Sequence, residues 1–317
     1  MNNLSQLTIV IVTYKTNLDI LKNCLNSINN KVKILIIENS DFFEAKNEIE
    51  EQFLNVEILC TGSNLGYGAG NNFGLKEVNT KYALILNPDI ICSDDFFLNI
   101  VKYLEGNIDF SLIGSIYKDH TNYNPAGFFD NKNLKSAKFI SEFNLYEVDW
   151  IAGHTILINF KKFKEKKIFD ENFFLFFEEL DLCRSVKKRN EKIFMSSSLK
   201  VNHLGWKGSF ASDEKFEIQS LKLRNWHYLW SMFYYNKKSY GYLFALKKAA
   251  SRLFRSIVRI IYYLIKFDKK GIIIYTYRLL GLVNSIFLTI LQAKGRFKQH
   301  SVATTFNLSI STLLLYP

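Results

Sequence analysis

Short apolar runs alternate with amphipathic stretches through the first ninety residues of the chain. Each run is continuous rather than alternating and is rich in Val, Ile and Leu, which is typical of strands buried on both faces of a parallel sheet. The runs are LTIVIVT (7–13), VKILII (32–37), VEILC (56–60) and YALILN (82–87). Helical periodicity lies between them, as in the face formed by Leu21, Leu25 and Ile28, and it recurs over 42–54 and 69–78. This order predicts an α/β fold with a mostly parallel sheet flanked by helices.

Polar side chains follow the carboxyl end of each predicted strand, where ligands bind on open sheets of this kind. They are Thr13 and Tyr14, Glu38 and Asn39, the loop TGSNLGYGAGNN (61–72), and Asn87-Pro88-Asp89. The glycines of the loop lead into a helix whose N-terminus could bind phosphate, although a tight connection explains them equally well. The loop is not a P-loop, because no Gly-Lys-Ser/Thr follows it. Taken alone, Asp89 is either a turn residue or part of a site.

The pattern loosens after residue 90. A helix is predicted over 94–105, irregular polar structure over 106–149, and a strand within DWIAGHTILI (149–158). Aromatic residues then run into an acidic cluster, Glu178, Glu179 and Asp181, which is followed by a basic helix. The last motif, SLKVNHLGWKGS, has one histidine, His203, just beyond a short predicted strand.

Composition limits the class of protein. Hydrophobic residues make up 48% of the 317 residues and charged residues 22%, which is typical of one large or two smaller globular domains. The run near the N-terminus, LTIVIVT, has no basic leader and predicts a first strand rather than a secretory signal. The four cysteines have neither pairing nor metal-binding spacing, so a reduced, cytoplasmic protein is expected.

Charge is concentrated near the C-terminus. Residues 237–298 hold fourteen Lys and Arg and one acid, a net charge of +13, so the rest of the chain carries −2 of the total +11. This distribution argues against a uniformly basic nucleic-acid-binding protein. It suits a near-neutral body with a basic, apolar tail that binds nucleic acid, anionic lipid or an acidic partner.

The ordered motifs together resemble the family 2 glycosyltransferases, which are inverting enzymes with the GT-A fold. The matching segments, over residues 7–210, are IVIVTYK, IIENS, GSNLGYGAGNN, LILNPD, WIAGH, FDENFFLFFEELDLCRS and VNHLGWKGS. Within the family the chain is most similar to bacterial rhamnosyltransferases of surface polysaccharide synthesis. The resemblance implies a Rossmann-like catalytic domain over 1–215, with a nucleotide-sugar half of about 1–105 and an acceptor half of about 106–215. Residues 216–317 would form a helical, basic, membrane-associating region.

The resemblance implies a metal site at the end of the fourth strand. Asp89 matches the last acid of the family's Asp-x-Asp motif, and Asn87 stands where the first acid often is. Asp89 would bind Mg²⁺ or Mn²⁺ that bridges the donor diphosphate, since a divalent cation stabilises the charge of the leaving group. His203 matches a late family histidine that completes this shell. Its alternative is an ordinary histidine near a loop.

The same resemblance implies donor contacts. Thr13, Tyr14 and Glu38 match positions that hold the nucleotide base and ribose, and Asn64 and Asn71 lie in the loop that covers the donor. Glu38 departs from the usual Asp, which leaves a dTDP-linked and a UDP-linked donor both open.

The acidic cluster matches the family's catalytic motif. An inverting transferase needs a carboxylate that takes the proton from the acceptor hydroxyl. The usual pattern is Glu-Asp-x-Asp, so Glu179 occupies the base position, Glu178 is the second candidate, and Asp181 would support acceptor or loop geometry. An acidic helix N-terminus, favoured by the helix dipole, explains the same cluster structurally.

Trp150, Gly153 and His154 match the segment beneath the sugar and the acceptor. Trp150 would stack on a sugar face or pack in the core; both interpretations stay open.

The basic tail predicts an amphipathic helix at a membrane surface. Its apolar face would hold Leu243, Leu246, Ala250, Leu253, Ile257, Ile260 and Leu264. Residues 271–292 are long enough to span a bilayer, but Arg278 inside this run favours a surface or shallowly inserted helix. The alternative is a helical subdomain that packs on the body. The resemblance implies a lipid-linked or oligosaccharide acceptor and a peripheral location on the cytoplasmic face of the cell membrane.

The sequence is therefore compatible with two functions. The first is an inverting glycosyltransferase that moves a sugar such as rhamnose from a nucleotide donor to a lipid-linked glycan in O-antigen or capsule synthesis. The second is a non-catalytic, membrane-bound sugar-nucleotide-binding or assembly protein with the same fold. Neither the acceptor nor the oligomeric state is specified by the sequence.

Overall fold

The predicted alternation of strands and helices is present in the structure, a computed structural model that describes residues 2–117, 125–130, 132–204 and 214–293. The strands in this part of the chain are β1 (Leu7–Thr13), β2 (Lys33–Glu38), β3 (Val56–Cys60), β4 (Tyr82–Leu86), β5 (Ile90–Cys92), β6 (Leu112–Tyr117), β7 (Ala126–Gly127), β8 (Phe139–Ile140), β9 (Leu145–Val148), β10 (Trp150–Ile151), β11 (Thr155–Asn159) and β12 (Ile193–His203). The α-helices are α1 (Leu18–Asn26), α2 (Lys46–Gln52), α3 (Tyr67–Glu77), α4 (Phe96–Glu105), α5 (Glu178–Lys188), α6 (Glu214–Tyr240), α7 (Tyr242–Ile265) and α8 (Lys269–Ala293).

Ten strands form one sheet in the order β3-β2-β1-β4-β11-β6-β12-β9-β8, with β5 added beside β12. The strands β3, β2, β1 and β4 are parallel neighbours, as predicted, and their register places Thr13 opposite Glu38. Strand β11 then enters antiparallel between β4 and β6. The α/β, GT-A-type expectation is confirmed, with a mixed sheet whose first four strands carry the parallel part.

The sequence prediction was wrong for residues 106–149, which it left irregular. They contain β6 through β9, and β6 is a central strand between β11 and β12. The polar loops between these short strands hid their apolar pattern. Likewise, His203 does not follow a short strand but is the last residue of the eleven-residue β12.

The parallel strands are buried on both faces, which explains their continuous apolar sequence. Ile9 and Ile34 pack in the core on one side of the sheet, whereas Val10 and Leu35 pack in the core on the other side. Local sequence fixes the ends of the helices. Asn17 caps α1 by accepting a hydrogen bond from Ile20 N at 3.1 Å.

The chain divides into two units. The first comprises Met1–Glu171 and Glu178–Ala211 and contains the sheet. The second, here called the helical unit, comprises Asn172–Phe177 and Ser212–Pro317. A six-residue segment from the middle of the sequence thus belongs with the C-terminal helices.

Helices α6, α7 and α8 pack together in the helical unit. Leu229, Phe233 and Leu282 are buried among them. Helix α8 approaches α6 so closely that a Cβ at Gly281 would lie 2.0 Å from Trp226 O, which requires glycine at this position. Arg278 Nε donates a hydrogen bond to Asn225 Oδ1 at 2.9 Å. These contacts give α8 a packed face.

Small residues form the buried face of helix α7. Its buried residues are the small Ala245, Ala249 and Ser256. Leu243 and Leu264, which the sequence places on the apolar face of an amphipathic helix, are exposed. The small residues on the packed face allow the helices to approach closely. By length and composition, Lys269–Thr289 is the one described helix segment that could cross a membrane.

The inserted segment Asn172–Phe177 is aromatic and strained. Phe173 is buried and packs edge-on against Tyr234, with ring centroids 4.9 Å apart. Phe176 and Phe177 adopt left-handed φ angles of 70° and 69°, which are unfavourable for bulky residues. Their rings contact Tyr228, which holds this conformation inside the helical unit.

Candidate active site

The carboxyl ends of β1 and β2 form a polar edge of the sheet. Glu38 is buried there, and its two carboxylate oxygens accept hydrogen bonds from Thr13 Oγ1 at 2.6 Å and Ser40 Oγ at 2.8 Å. Tyr14 follows Thr13 and is half-buried. Glu38 therefore orders the hydroxyl groups at this edge, where the sequence predicted a nucleoside.

The glycine-rich loop connects this edge to α3. Asn39 Nδ2 donates to Gly66 O at 2.9 Å, and Asn64 Oδ1 accepts from Gly66 N at 3.0 Å. Gly66 has a φ of 84° at the start of α3, a conformation that favours glycine. A Cβ at Gly70 would lie 3.0 Å from Asn39 Nδ2, so the first turn of α3 lies directly against Asn39.

Tyr67, the first residue of α3, bridges two turns. Its hydroxyl oxygen lies 2.9 Å from Asn87 Oδ1 and 2.6 Å from Gly153 O, and its one proton serves these two acceptors. Asn87 N donates to His154 O at 2.9 Å. Burial raises the pKa of Tyr67, and the charges of Glu178 and Glu179 raise it further. Tyr67 therefore stays a neutral donor that joins the Asn87 turn to the Gly153 turn.

Asp89 and His203 meet because β5 pairs with the end of β12. His203 lies opposite Ile90 in this pairing, and its Nε2 is 3.4 Å from Asp89 Oδ1. Asp89 is buried, and its carbonyl accepts from Leu204 N at 3.0 Å. Two residues that are 114 positions apart in the sequence are thus neighbours at the end of β4, as the motif resemblance predicted.

His154 lies beside this pair. Its ring centroid is 5.2 Å from that of His203, and Tyr117 contacts both rings. His154 Nδ1 is 2.9 Å from Thr155 Oγ1, while Nε2 is buried with no hydrogen-bond partner among the described residues. Burial lowers the pKa of His154 to about 3, and His203 also lowers it, while Asp89 raises it. The imidazole is therefore neutral at physiological pH.

The donor set fits a divalent cation that is completed by its substrate. Asp89 offers a carboxylate oxygen and His203 an imidazole nitrogen 3.4 Å away, close to the ~3 Å between adjacent ligands in an octahedral shell with bonds of about 2.1 Å. No group of three or more His, Cys, Asp or Glu side chains in the described part of the chain could hold a metal ion. Such a cation would need diphosphate and water oxygens as further ligands, which is common for Mg²⁺.

The acidic cluster forms the first turn of α5. Glu178 is buried, and a Cβ added at Gly68 would lie 3.5 Å from its Cβ. Glu179 is half-buried and packs against Gly153, where an added Cβ would lie 3.3 Å from the Cβ of Glu179 and 3.8 Å from Tyr67 Cε1. The two glutamates thus lie against different turns, and Glu179 is the one that borders Gly153.

Both glutamates have a perturbed pKa. Burial raises the pKa of Glu178 well above its usual value of 4.5, and the charge of Glu179 raises it further. Glu178 Oε2 has no hydrogen-bond partner among the described residues. Burial also raises the pKa of Glu179, although its own backbone N–H and that of Leu180 lower it. Raised carboxyl pKa values are typical of groups that accept a proton near neutral pH.

The other predicted site residues lie around this centre. Asp181 is buried in the first turn of α5. Trp150 is half-buried, and its indole lies flat against Gly127, where an added Cβ would be 2.7 Å from Trp150 Cζ2. Asn71 is buried inside α3 and donates to Tyr67 O at 2.9 Å. The residues after Leu204 in the last motif lie outside the described residues.

Sequence reasoning assigned no site role to Tyr67, Asn39 or Tyr117, although Asn39 was among the polar side chains at the strand ends. Tyr67 is flanked by glycines in the loop, which drew attention to backbone conformation rather than to the hydroxyl. Asn39 follows Glu38 at the same strand end, so its position favoured a role in the site as much as the position of Glu38 did. Tyr117 ends β6, a strand that the sequence did not predict, so nothing in the pattern indicated it.

Comparisons with known proteins identify the family of the chain. A model of the family described as "Glycosyl transferase family 2" matches residues 8–180. The low-salt glycan biosynthesis hexosyltransferase Agl10 of Haloferax volcanii is 27% identical over 201 residues, which are 60% of this chain and 64% of that protein. Rhamnosyltransferase WbbL of Escherichia coli K12 is 26% identical over 204 residues, which are 55% of this chain and 74% of that protein.

Among solved structures, a crystal structure of GalNAc-T7 with UDP, GalNAc and Mn²⁺ aligns with a TM-score of 0.49 at 11% identity. The alignment covers 74% of this chain and 52% of that chain. The chain therefore spans less than two thirds of the length of the Haloferax relative and about half of the GalNAc-T7 chain.

Proposed function

The chain belongs to glycosyl transferase family 2, and from this premise we propose that it transfers a sugar from a nucleoside-diphosphate donor to an acceptor hydroxyl with inversion. The observation that carries the proposal is the arrangement around the Gly153 turn. Glu179 packs on this turn, Tyr67 binds its carbonyl, and the next residue, His154, stacks beside His203. A base candidate and a metal-ligand candidate thus border one short segment.

The donor would bind along the polar edge of β1 and β2. Thr13 and Tyr14 offer a hydroxyl and a ring to the nucleoside, and Glu38 holds the Thr13 hydroxyl in place. The loop residue Asn64 and the buried Asn71 shape the start of α3, whose N-terminal backbone favours negative charge. Uracil and thymine nucleotides are the donors to test first.

Asp89 and His203 would hold Mg²⁺ or Mn²⁺ at the donor diphosphate. The bound cation would supply stabilisation of the negative charge that develops on the departing nucleoside diphosphate. Asn87 is committed to the Tyr67 hydroxyl, so its role is to fix the turn that presents Asp89. Tyr117 and His154 pack beside His203 and limit the orientations of its ring.

Glu179 is the proposed general base. Its half-buried carboxyl group borders Gly153, and a raised pKa makes its carboxylate a stronger proton acceptor than an exposed glutamate. Glu178 is less suited to this role, because it is buried against Gly68. Asp181, in the same helix turn, would support the acceptor or the loop geometry.

The acceptor would lie over the segment from Trp150 to His154, with the indole of Trp150 as a surface for a sugar ring. The names of the two relatives, a hexosyltransferase of glycan biosynthesis and a rhamnosyltransferase, favour transfer of a hexose or deoxyhexose such as rhamnose. A lipid-linked glycan of a bacterial surface polysaccharide is the proposed acceptor.

The helical unit supports a peripheral location on the cytoplasmic face of an anionic membrane. Phe254, Ile261 and Ile265 are exposed on α7 at spacings of seven and four residues, which places them on one face of the helix. Basic residues occupy a neighbouring stripe of the same helix, from Lys248 to Arg259. An apolar stripe beside a basic stripe is typical of helices that lie in the membrane interface.

A second function is favoured by one observation, which is that Asn87 is bound to Tyr67 where many relatives of this kind would have an acid. With fewer acidic ligands, the chain would be a membrane-bound sugar-nucleotide-binding or assembly protein without turnover. The two functions predict different results for one measurement, the release of nucleoside diphosphate from a nucleotide sugar.

The test is release of nucleoside diphosphate from a panel of UDP- and dTDP-sugars by the full chain, with Mn²⁺ and with EDTA. Metal-dependent release supports the transferase. Saturable binding of a nucleotide sugar without release, with and without candidate acceptors, supports the non-catalytic protein and contradicts the transferase.

A further inference from the structure

A cleft of about 360 Å³ lies within the helical unit, between α7 and the side formed by α6 and Phe177. Its volume falls within the range of about 300–1,000 Å³ that is common for ligand pockets. All of its lining residues belong to the helical unit, and none of them is a candidate active-site residue described above.

One wall of the cleft is strongly cationic. Lys248, Arg252 and Arg255 line it, and their spacing of four and three residues places them on one face of α7. All three side chains are exposed. Two Arg groups can hydrogen-bond a phosphate through two N–H groups each, and Lys adds a point charge. Three cations held this close repel one another unless an anion lies between them.

The three cations have no acidic residue near them in the sequence, because residues 218–267 contain neither Asp nor Glu. The flanking acids have other partners. Glu217 pairs with Lys270 Nζ at 2.9 Å, and Asp268 accepts a hydrogen bond from Gly271 N at 2.9 Å. No ion pair to the three cations is present among the described residues. Their positive charge is therefore available to pair with an external anion.

The opposite wall is largely apolar. Phe177 and Tyr228 line it with ring centroids 6.1 Å apart, together with the buried Met232. A free phosphate ion has no apolar group that could pack against this wall, whereas the first carbon atoms of an amphiphile would pack there. The exposed apolar stripe of α7 continues beside the cleft, since Phe254 lies three positions after Ser251, which also lines it.

We propose that this cleft binds the terminal phosphate or diphosphate headgroup of a membrane lipid, with Lys248, Arg252 and Arg255 on the phosphate and the aromatic wall on the adjoining carbons. The choice of a lipid rather than a soluble phosphate as the source rests on the membrane contact in the proposed function. Binding in the cleft requires neither the donor nor the metal at Asp89.

The test measures binding of the full chain to phosphatidylcholine vesicles that contain phosphatidic acid or, at equal surface potential, phosphatidylglycerol. A terminal phosphate accepts more charged hydrogen bonds than a phosphodiester, so we expect about tenfold tighter binding to phosphatidic acid. The double variant Arg252→Gln/Arg255→Gln should lose this preference. Lys247→Gln/Arg259→Gln removes the same charge from α7 outside the cleft and should keep it.

The outcomes separate the alternatives. Equal loss in the two double variants would show diffuse attraction rather than a cleft and would overturn the proposal. Tight binding of inorganic diphosphate without a preference for phosphatidic acid vesicles would identify a soluble ligand and would also overturn it. Asp89→Asn should retain the lipid preference, so failure of the transferase assignment leaves this result unchanged. All the substituted residues except Asp89 are exposed, and circular dichroism checks that each variant is folded.

Discussion

The hydroxyl oxygen of Tyr67 lies 2.9 Å from the side-chain oxygen of Asn87, at the position where the sequence alone suggested a lost acid. The amide oxygen of Asn87 is occupied by this donor. Asn87 and Tyr67 together therefore hold the turn that precedes Asp89.

Tyr67→Phe should lower transfer activity and stability together. The substitution leaves Asn87 Oδ1 and Gly153 O without their shared donor, and loss of a part-buried hydrogen bond costs about 1–3 kcal/mol. Thermal unfolding and product formation measure the two effects. Tyr146→Phe is the matched control, since Tyr146 is half-buried and its ring packs on Phe139. Equal effects in both variants would contradict the bridging role of Tyr67.

Asp89→Asn should weaken metal-dependent binding of the nucleoside diphosphate by about 10–100-fold or more, because the site loses its one charged ligand. Titration calorimetry with UDP or dTDP, with and without Mn²⁺, measures this change. Asp94→Asn, at an exposed position five residues away, should bind as the unmodified protein does. Unchanged affinity in Asp89→Asn would refute the metal assignment.

Glu179→Gln should keep donor binding and lose transfer by about 10²–10⁴-fold, the usual effect of removing a positioned general base. Single-turnover product formation measures the chemical step, and donor affinity is measured separately. Glu178→Gln is the comparison variant from the same helix turn. If Glu178→Gln loses turnover and Glu179→Gln retains it, the base is Glu178.

Glu178→Gln should raise the melting temperature at pH 8 and change it less as the pH is lowered. Burial raises the folded-state pKa of Glu178 above the value of 4.5 expected in the unfolded chain. The favourable contribution of the protonated group is therefore complete below about pH 4.5 and is lost as pH rises through the folded-state pKa. Gln stays neutral throughout. A stability difference independent of pH between 4 and 8 would contradict this account.

Replacing Phe254, Ile261 and Ile265 of α7 by Ser should weaken binding to anionic vesicles without unfolding the protein. The three side chains are exposed, so their loss changes stability little, whereas each contributes apolar area on insertion. Vesicle co-sedimentation at low and high salt separates the apolar from the electrostatic part. Salt should reduce binding of the unmodified protein but not abolish it, since insertion of apolar groups is insensitive to salt.

The control for this experiment replaces three exposed apolar residues of the first unit by Ser. They are Phe42, Leu54 and Leu98. This variant removes a similar exposed apolar surface and should bind vesicles as the unmodified protein does. Equal weakening in both triple variants would contradict a membrane-binding role for the α7 stripe.

The sequence predicted the parallel half of the fold because strands buried on both faces leave an unmistakable apolar run. It did not predict β6 to β9, because polar turns interrupt this region and β7, β8 and β9 have only two to four residues each. Helix α7 was expected from its periodicity. Its packed face was not predicted, and Ala245, Ala249 and Ser256 are buried there.

The proximity of the candidate residues Asp89 and His203 was predictable, because each motif lies at a strand end. Contacts that depend on tertiary pairing were not, and the Tyr67–Gly153 bridge joins residues 86 positions apart. Asn87 shows the limit of residue-by-residue comparison. From the sequence it resembled a lost metal ligand, but its side chain accepts a hydrogen bond from Tyr67 at the start of α3.

The segment Asn172–Phe177 has a practical consequence for how this protein is divided or exchanged with relatives. A fragment that ends before residue 212 would keep Phe173, Phe174, Phe176 and Phe177 while discarding the helices that cover their rings. Such a fragment would expose four phenyl groups directly before α5 and would tend to aggregate. Chimaeras that exchange the C-terminal helices should therefore exchange these six residues with them, because the two sequence stretches fold as one piece.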